Sequence, residues 1–262
     1  MSLKVSVGFC TNKGPVRDLN EDAGGFISAN EALNGVDGVF VVADGLGGHD
    51  GGEVASKMAV EVVLDAYRKD SSDIGTLLPI EKSMEKVIYK ANNDVYELSM
   101  ASVSGEALHR DPDRSNMGTT VTVAILSRGN ITIGHVGDSR AYLKRKRKLD
   151  LLTEDQNLAA EQLREGVISS DELPDHPLRN VLTQAVGTTE TVKPFVLTKK
   201  IQSGDTLLLC SDGLYQVVND AVLLQMIGGS KESQKVADQL VQKAIESATA
   251  DNVTALVAYI TS

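Results

Sequence analysis

Val41-Val-Ala-Asp44-Gly-Leu-Gly-Gly-His-Asp-Gly-Gly-Glu53 is the stretch on which the reading of this chain turns. The apolar run from Val39 to Ala43 predicts a buried strand, and it stops abruptly on an aspartate followed by glycines. A helical pattern begins near Glu53. A carboxylate at the open end of a buried strand is costly unless a charged group compensates it. No basic residue stands nearby in sequence, so a metal ion is a natural partner. Glycines beside the carboxylate let backbone atoms come close to whatever is bound.

The same pattern recurs along the chain. Thr206-Leu-Leu-Leu-Cys-Ser-Asp212-Gly213 is a second apolar run ending in Asp-Gly, and Ile131-Thr-Ile-Gly-His-Val-Gly-Asp138 is a third run ending on aspartate. Asp251-Asn252 stands just before the strand-like Val253–Ile260. A single Asp-Gly is most often a turn. That explanation weakens when three such aspartates end buried strands. Four aspartates converging at one edge of a sheet core would make an oxygen-only ligand set, which suits Mg²⁺ or Mn²⁺ rather than zinc.

Two other uses of the glycine stretch fit poorly. Gly45-Leu-Gly47-Gly48-His-Asp50 breaks the Gly-x-Gly-x-x-Gly pattern at its last position, and no Gly-Lys-Ser/Thr follows. Asp44 and Asp50 would also repel a pyrophosphate. The acidic residues near 44–53 lack the alternating spacing of an EF-hand loop.

The 262 residues carry 36 acidic against 26 basic side chains, a formal charge of −10 that argues against nucleic acid as the main partner. The opening residues do not read as a signal peptide, so none is expected, and no apolar run approaches the roughly 18 residues of a membrane span. Cys10 and Cys210, both inside apolar runs, read as core thiols without disulfide or zinc spacing. A cytoplasmic location is expected, and the sequons at Asn130 and Asn252 are read as carrying no glycan.

Strand-like runs fall near 4–9, 24–28, 36–43, 119–126, 131–137, 140–144, 195–200, 205–210 and 253–260. Helical patterns lie around Val54, Met58 and Val62, over 76–102, and at Val236, Leu240, Val241, Ala244 and Ala248 with Ser230 as N-cap. Helices arriving in pairs between groups of strands favour antiparallel sheets covered by helices over a doubly wound parallel sheet. No repeat or linker divides the chain, so one domain is expected, with 157–187 as an insertion or flap. The run Lys144-Arg-Lys-Arg-Lys148 is read as the solvated tip of a hairpin between strands at 140–144 and 149–152.

Arg17-Asp-Leu-Asn-Glu21-Asp22 lies in a polar loop. Beside an acidic metal site, an arginine provides what carboxylates cannot, a bidentate clamp for a phosphate oxyanion. With this, the chain resembles the metal-dependent protein serine/threonine phosphatases of type 2C, the PPM family, in their bacterial form. The matching pieces are Arg17-x-x-Asn-Glu-Asp22, Asp44-Gly-x-Gly-Gly-His49, Gly52-Glu-x-Ala-Ser56 and Gly118-Thr-Thr120. They continue with Val136-Gly-Asp-Ser-Arg140, His176-Pro-x-x-Asn-Val-Leu-Thr183, Cys210-Ser-Asp-Gly-Leu214 and Asp251-Asn-Val-Thr254. Each piece is short, but all occur in the family's order and cover nearly the whole length.

The resemblance implies an α+β fold, an α-β-β-α four-layer sandwich of two antiparallel sheets flanked by helix pairs. It implies that residues 1–262 form a single catalytic domain, and that phosphoserine and phosphothreonine are hydrolysed by a water activated between two Mn²⁺ or Mg²⁺ ions. Asp44 would bridge the ions, with the Gly45 carbonyl on one and Asp212 and Asp251 on the other. Asp138 with Asp212 would hold a third, weaker ion. Glu21 and Asp22 would act through bound water, and Arg17 would bind the substrate phosphate. The implied partners are phosphoproteins, substrates of a bacterial serine/threonine kinase. A catalytically silent phosphatase-like module that binds a phosphoprotein or a regulatory partner is the alternative.

Three positions depart from the family pattern. Leu46 stands where many eukaryotic members carry a histidine acid, leaving a bound water as the first candidate for the general acid and His49 as the second. Gln156 replaces a common histidine, and Ala248-Thr-Ala250 replaces a glycine pair. His135 and His109 are read as ordinary residues.

Overall fold

The computed structural model describes residues 3–46, 50–71, 78–104 and 117–262. The chain opens with β1 (Lys4–Asn12), β2 (Asp22–Ser28) and β3 (Gly38–Leu46), followed by α1 (Asp50–Ala66) and α2 (Ile80–Ser104). Next come β4 (Gly118–Thr119), β5 (Val121–Ser127), β6 (Asn130–Val136), β7 (Arg140–Arg145), β8 (Lys148–Leu151) and α3 (Leu158–Arg164). The chain finishes with β9 (Phe195–Lys200), β10 (Thr206–Cys210), α4 (Asp212–Tyr215), α5 (Asp220–Gly229), α6 (Ser233–Glu246) and β11 (Val253–Thr261).

These strands form two sheets in which every pairing is antiparallel. One has the order β1-β11-β10-β7-β8, and the other β2-β3-β5-β6-β9 with β4 attached to β3. Period-two alternation sorts their side chains into three apolar layers. In β3, Val39, Val41 and Ala43 pack with α1 and α2, while Phe40 and Val42 point into the space between the sheets. In β10, Leu207 and Leu209 enter that same space, while Leu208 and Cys210 pack with α5 and α6. The pattern holds in β11, where Leu256, Ala258 and Ile260 alternate with Val253, Ala255 and Val257. Burial on both faces is why these strands read as continuous apolar runs. Each fully buried Leu or Val contributes roughly 1.5–3 kcal/mol.

The result is the expected four-layer α-β-β-α sandwich, with α1/α2 on one outer face and α5/α6 on the other. Several boundaries differ. The run expected at 119–126 is interrupted at Thr120, which separates β4 from β5. The second long helix begins at Ile80 rather than 76, and residues 72–77 lie outside those described. Ser230 does not cap α6: it closes α5, and its Oγ accepts from the Glu232 N–H at 3.1 Å in the turn between the two helices. The helix α5 has no counterpart among the expected helices, because its ten residues are mostly apolar and show little one-sided patterning. Lys146 and Arg147 form the exposed tip of the β7–β8 hairpin, as expected of the basic run. Among the described residues no helix is long and apolar enough to cross a membrane.

Candidate active site

The alternation that builds the core also places the site. Asp44 follows Val42 on the side of β3 that faces the other sheet, where the space between the sheets opens. Its neighbour across the ladder is Asp22 on β2. Asp138 sits in the bend after β6, Asp212 in the first turn of α4 just beyond β10, and Asp251 one residue before Asn252 and β11. Arg17, Glu21, Asp44, Asp138, Asp212 and Asp251 line one pocket of about 230 Å³, completed by Gly45, Leu46, Asn180 and Leu182. That volume is below the usual range for drug-sized ligands and suits a compact anion. Asp22 is the exception among the expected site residues: it does not line the pocket and stands behind Asp44, fully buried.

Each acidic residue is held by neighbours distant in sequence. The Asp44 backbone is locked by Thr119 and Thr120: the Asp44 N–H donates to Thr120 Oγ1 at 2.9 Å, and its carbonyl accepts from Thr119 Oγ1 at 2.9 Å and the Thr120 N–H at 2.8 Å. Asp22 Oδ2 accepts from Ser211 Oγ and Thr254 Oγ1, both at 2.7 Å, joining the two sheets directly beneath the pocket. Asn252 staples the Arg17 loop to the C-terminal strand. Its Nδ2 donates to the carbonyls of Lys13 and Leu19 at 2.9 and 2.8 Å, and its Oδ1 accepts from the Glu21 N–H at 2.8 Å. Gly45 and Gly52 permit a close approach between β3 and α1. A Cβ on Gly45 would meet the Glu21 carbonyl oxygen at 2.6 Å, and one on Gly52 would meet Glu21 Oε1 at 2.6 Å.

The electrostatics are those of crowded, buried carboxylates. Burial, together with Asp22, Asp212, Asp138 and Asp251, holds the Asp44 carboxyl well above the usual range. Burial raises Asp212 in the same way, with Asp138 and Asp251 adding to the effect. Burial pushes Asp138 up to about 7, Asp155 reinforcing it while a hydrogen bond from Asn157 opposes it. Asp22 is pushed up to about 6 by burial against its two hydroxyl donors. Glu21 is raised by burial despite the nearby Arg17. Arg17 donates from Nη2 to Asp251 Oδ2 at 2.7 Å, which raises its own pKa.

Oxygen atoms of this cluster fit divalent cations. Glu21 Oε1, Asp22 Oδ1 and Asp212 Oδ1 are buried without a hydrogen-bond partner, a costly condition that a cation would relieve. As they stand, no three His, Cys, Asp or Glu side chains among the described residues are gathered tightly enough to hold an ion. Asp251 is turned to Arg17 and Asp212 to Gln216, whose Nε2 donates to Asp212 Oδ2 at 2.7 Å. The ligand chemistry is oxygen only, as hard cations prefer.

Several supporting residues have roles that the sequence does not assign. Arg140 makes a bidentate pair with Asp155, at 3.0 and 2.6 Å, and lies 3.7 Å over the Tyr215 ring, behind Asp138. Asn157 caps α3 through the Ala160 N–H at 2.9 Å and, beside Asp138, opposes the rise of that carboxyl's pKa. An Asn directly before the helical Leu158–Arg164 is the one cue that could have identified the cap. His135 is buried, paired with Thr122 Oγ1 at 2.9 Å and lowered by burial to about 4, an ordinary core role. His49 and His109 lie outside the described residues.

Known proteins with the same layout complete the comparison. A family profile described as Protein phosphatase 2C matches residues 17–249. The serine/threonine phosphatase stp of Listeria monocytogenes is 35% identical over 248 residues, covering 95% of this chain and 93% of its own length. Among solved structures, Stp1 from Staphylococcus aureus aligns with a TM-score of 0.86 at 30% identity, covering 100% of this chain and 98% of its own. The catalytic domain of the phosphatase PstP, solved in complex with two manganese ions, aligns with a TM-score of 0.80 at 26% identity over the full length of both chains.

Proposed function

This chain belongs to the protein phosphatase 2C family and is a metal-dependent protein serine/threonine phosphatase of bacterial type, and from that premise we propose that its reaction is carried by the pocket between Arg17 and Asp212. One observation carries the assignment. Asp44, Asp138, Asp212 and Asp251, brought from four separate strand ends, share a single 230 Å³ pocket with Arg17.

In our reading Asp44, Asp212, Asp251 and the Gly45 carbonyl hold two Mn²⁺ or Mg²⁺ ions, and Asp138 with Asp212 holds a third, weaker one. Such ions neutralise the carboxylate cluster and acidify a water until it can attack phosphorus near neutral pH. The chain's own groups do the rest. Arg17, the one basic side chain lining the pocket among the described residues, receives the substrate phosphate after exchanging Asp251 for it. Asn252, by anchoring the loop from Lys13 to Glu21, keeps that guanidinium at the rim and spares the entropy of ordering it later. Asp22 and Glu21 supply negative charge at the edge of the cluster. Leu46 offers no proton, so the leaving alkoxide must be protonated by water or by His49.

We further read residues 1–262 as one catalytic domain in which 157–187 is a flap beside the substrate groove. The partners we assign are phosphoproteins made by a bacterial serine/threonine kinase, and the compartment is the cytoplasm, consistent with two unpaired cysteines.

The test is hydrolysis of p-nitrophenyl phosphate and of a phosphothreonine peptide, each with Mn²⁺ and with a chelator. Turnover should depend on Mn²⁺, and full activity in chelator would remove the metal mechanism. Arg17→Ala should raise KM by about 10- to 100-fold with a smaller change in kcat, the value of one charged hydrogen-bonded contact made in both ground and transition states. An unchanged KM would take the phosphate-binding role from Arg17.

A further inference from the structure

The stretch 157–187 touches the acidic cluster at both of its ends. Near the first, Asn157 caps α3 and stands close enough to Asp138 to oppose the rise of its pKa. Near the second, Asn180 Oδ1 accepts from Gln216 Nε2 at 3.2 Å, and the same Nε2 donates to Asp212 Oδ2 at 2.7 Å. The one-turn helix α4 makes this geometry possible. Gln216 is its C-cap, four residues after Asp212, and its N–H returns to the Asp212 carbonyl at 3.0 Å. A side chain four positions on lies over the same helix face. One amide therefore spans from a buried carboxylate to an exposed segment.

The base of the stretch is already fixed by backbone pairing. Asn157 bridges to Leu182, the Leu158 N–H donates to the Val181 carbonyl at 2.9 Å, and the Thr183 N–H to the Gln156 carbonyl at 2.8 Å. Asn180 lies just outside that clamp, where the chain turns away. With Oδ2 of Asp212 taken by Gln216, Oδ1 is left buried and unpartnered at the pocket. The amide thus selects which oxygen the pocket receives.

We propose that Gln216 is a positioning residue that orients Asp212 and ties it to Asn180, so that cation binding in the pocket and seating of the 157–187 segment are one coupled event. This rests on the reading of Asp212 as a cation ligand. Coupling of this kind is reciprocal: a cation that fixes Asp212 steadies the segment, and a steadied segment raises cation affinity. Partners of a ligating carboxylate typically change metal affinity 10–100-fold when removed.

Two readouts test it on the full chain: Mn²⁺ affinity by titration calorimetry, and the rate of tryptic cleavage after Arg164 and Arg179. In the unmodified protein, Mn²⁺ should slow cleavage at both sites. Gln216→Leu should weaken Mn²⁺ binding at least about tenfold and abolish the protection. Asn180→Ala, an exposed change that leaves the Asp212 contact in place, should lose most of the protection and only a few-fold of the affinity. Affinity for Mn²⁺ in Gln216→Leu equal to that of the unmodified protein, or undiminished protection in Asn180→Ala, would overturn the coupling. Failure of the unmodified protein to bind Mn²⁺, or unaltered binding in Asp44→Asn, would instead overturn the cation site itself.

Discussion

Asp44→Asn should abolish turnover while making the metal-free protein more stable. The loss of activity is expected to reach at least about 10³-fold, because cation-mediated charge stabilisation is worth several kcal/mol and each 1.36 kcal/mol is tenfold in rate. The gain in stability follows from the same burial. Asp44 is raised well above the usual carboxylate range by desolvation and by four neighbouring aspartates, of which Asp22 and Asp212 each keep a buried, unpartnered oxygen. An asparagine keeps the shape, carries no charge and has an NH₂ group to donate to those carboxylates. Each unit of relieved pKa elevation is about 1.4 kcal/mol, and a kcal/mol moves the melting temperature of a chain this size by about 2–4 °C. A melt in chelator should therefore rise by several degrees for the variant that has lost activity. A fall in both would mean that Asp44 is a structural residue.

Divalent cations should stabilise the unmodified protein strongly, and more at pH 8 than at pH 5. The sign follows from the direction of the shifts. Asp22 and Asp138 have folded-state values of about 6 and about 7, above the unfolded value near 4, so the fold retains protons that the unfolded chain releases. Their contribution is present in full below the unfolded pKa and is lost as pH rises through about 4 to 7. For Asp22 alone that is on the order of 3 kcal/mol. Metal-free protein should accordingly melt lower at pH 8 than at pH 5, and a cation should reverse the deficit by neutralising what protons no longer neutralise. At a hundred times its dissociation constant, one ion adds about 2.7 kcal/mol, or about 5–10 °C. Melting curves with Mn²⁺ and with chelator at both pH values would show this, and an equal Mn²⁺ shift at pH 5 and pH 8 would contradict it.

Much of this architecture was legible before any coordinates. The apolar runs at 36–43, 131–137, 205–210 and 253–260 correspond to β3, β6, β10 and β11, because strands covered on both faces are apolar at most positions. Their terminal aspartates stood out for the same reason, as charges where the run predicts none. The helix α5 did not stand out, since an element that is apolar on most faces carries no period. Ser230 closes α5 and Glu232 stands at the N-cap position of α6, because a serine hydroxyl serves a turn between two helices as readily as a cap.

What the sequence determined by itself was the set of layers and the identity of the carboxylates at their edge. Local periodicity sorts side chains between faces, and a charge at the end of a buried run needs a partner. Which oxygen faces the pocket was decided only by the tertiary structure. Asp22 lies behind Asp44 because Ser211 and Thr254, from the opposite sheet, claim its Oδ2. Asp212 presents Oδ1 because Gln216 claims its Oδ2. Arg17 reaches the rim because Asn252, 235 residues later, holds its loop. These are hydrogen bonds between groups far apart in the chain, whose energy depends on angstrom-scale approach, and only the packed fold brings them within reach.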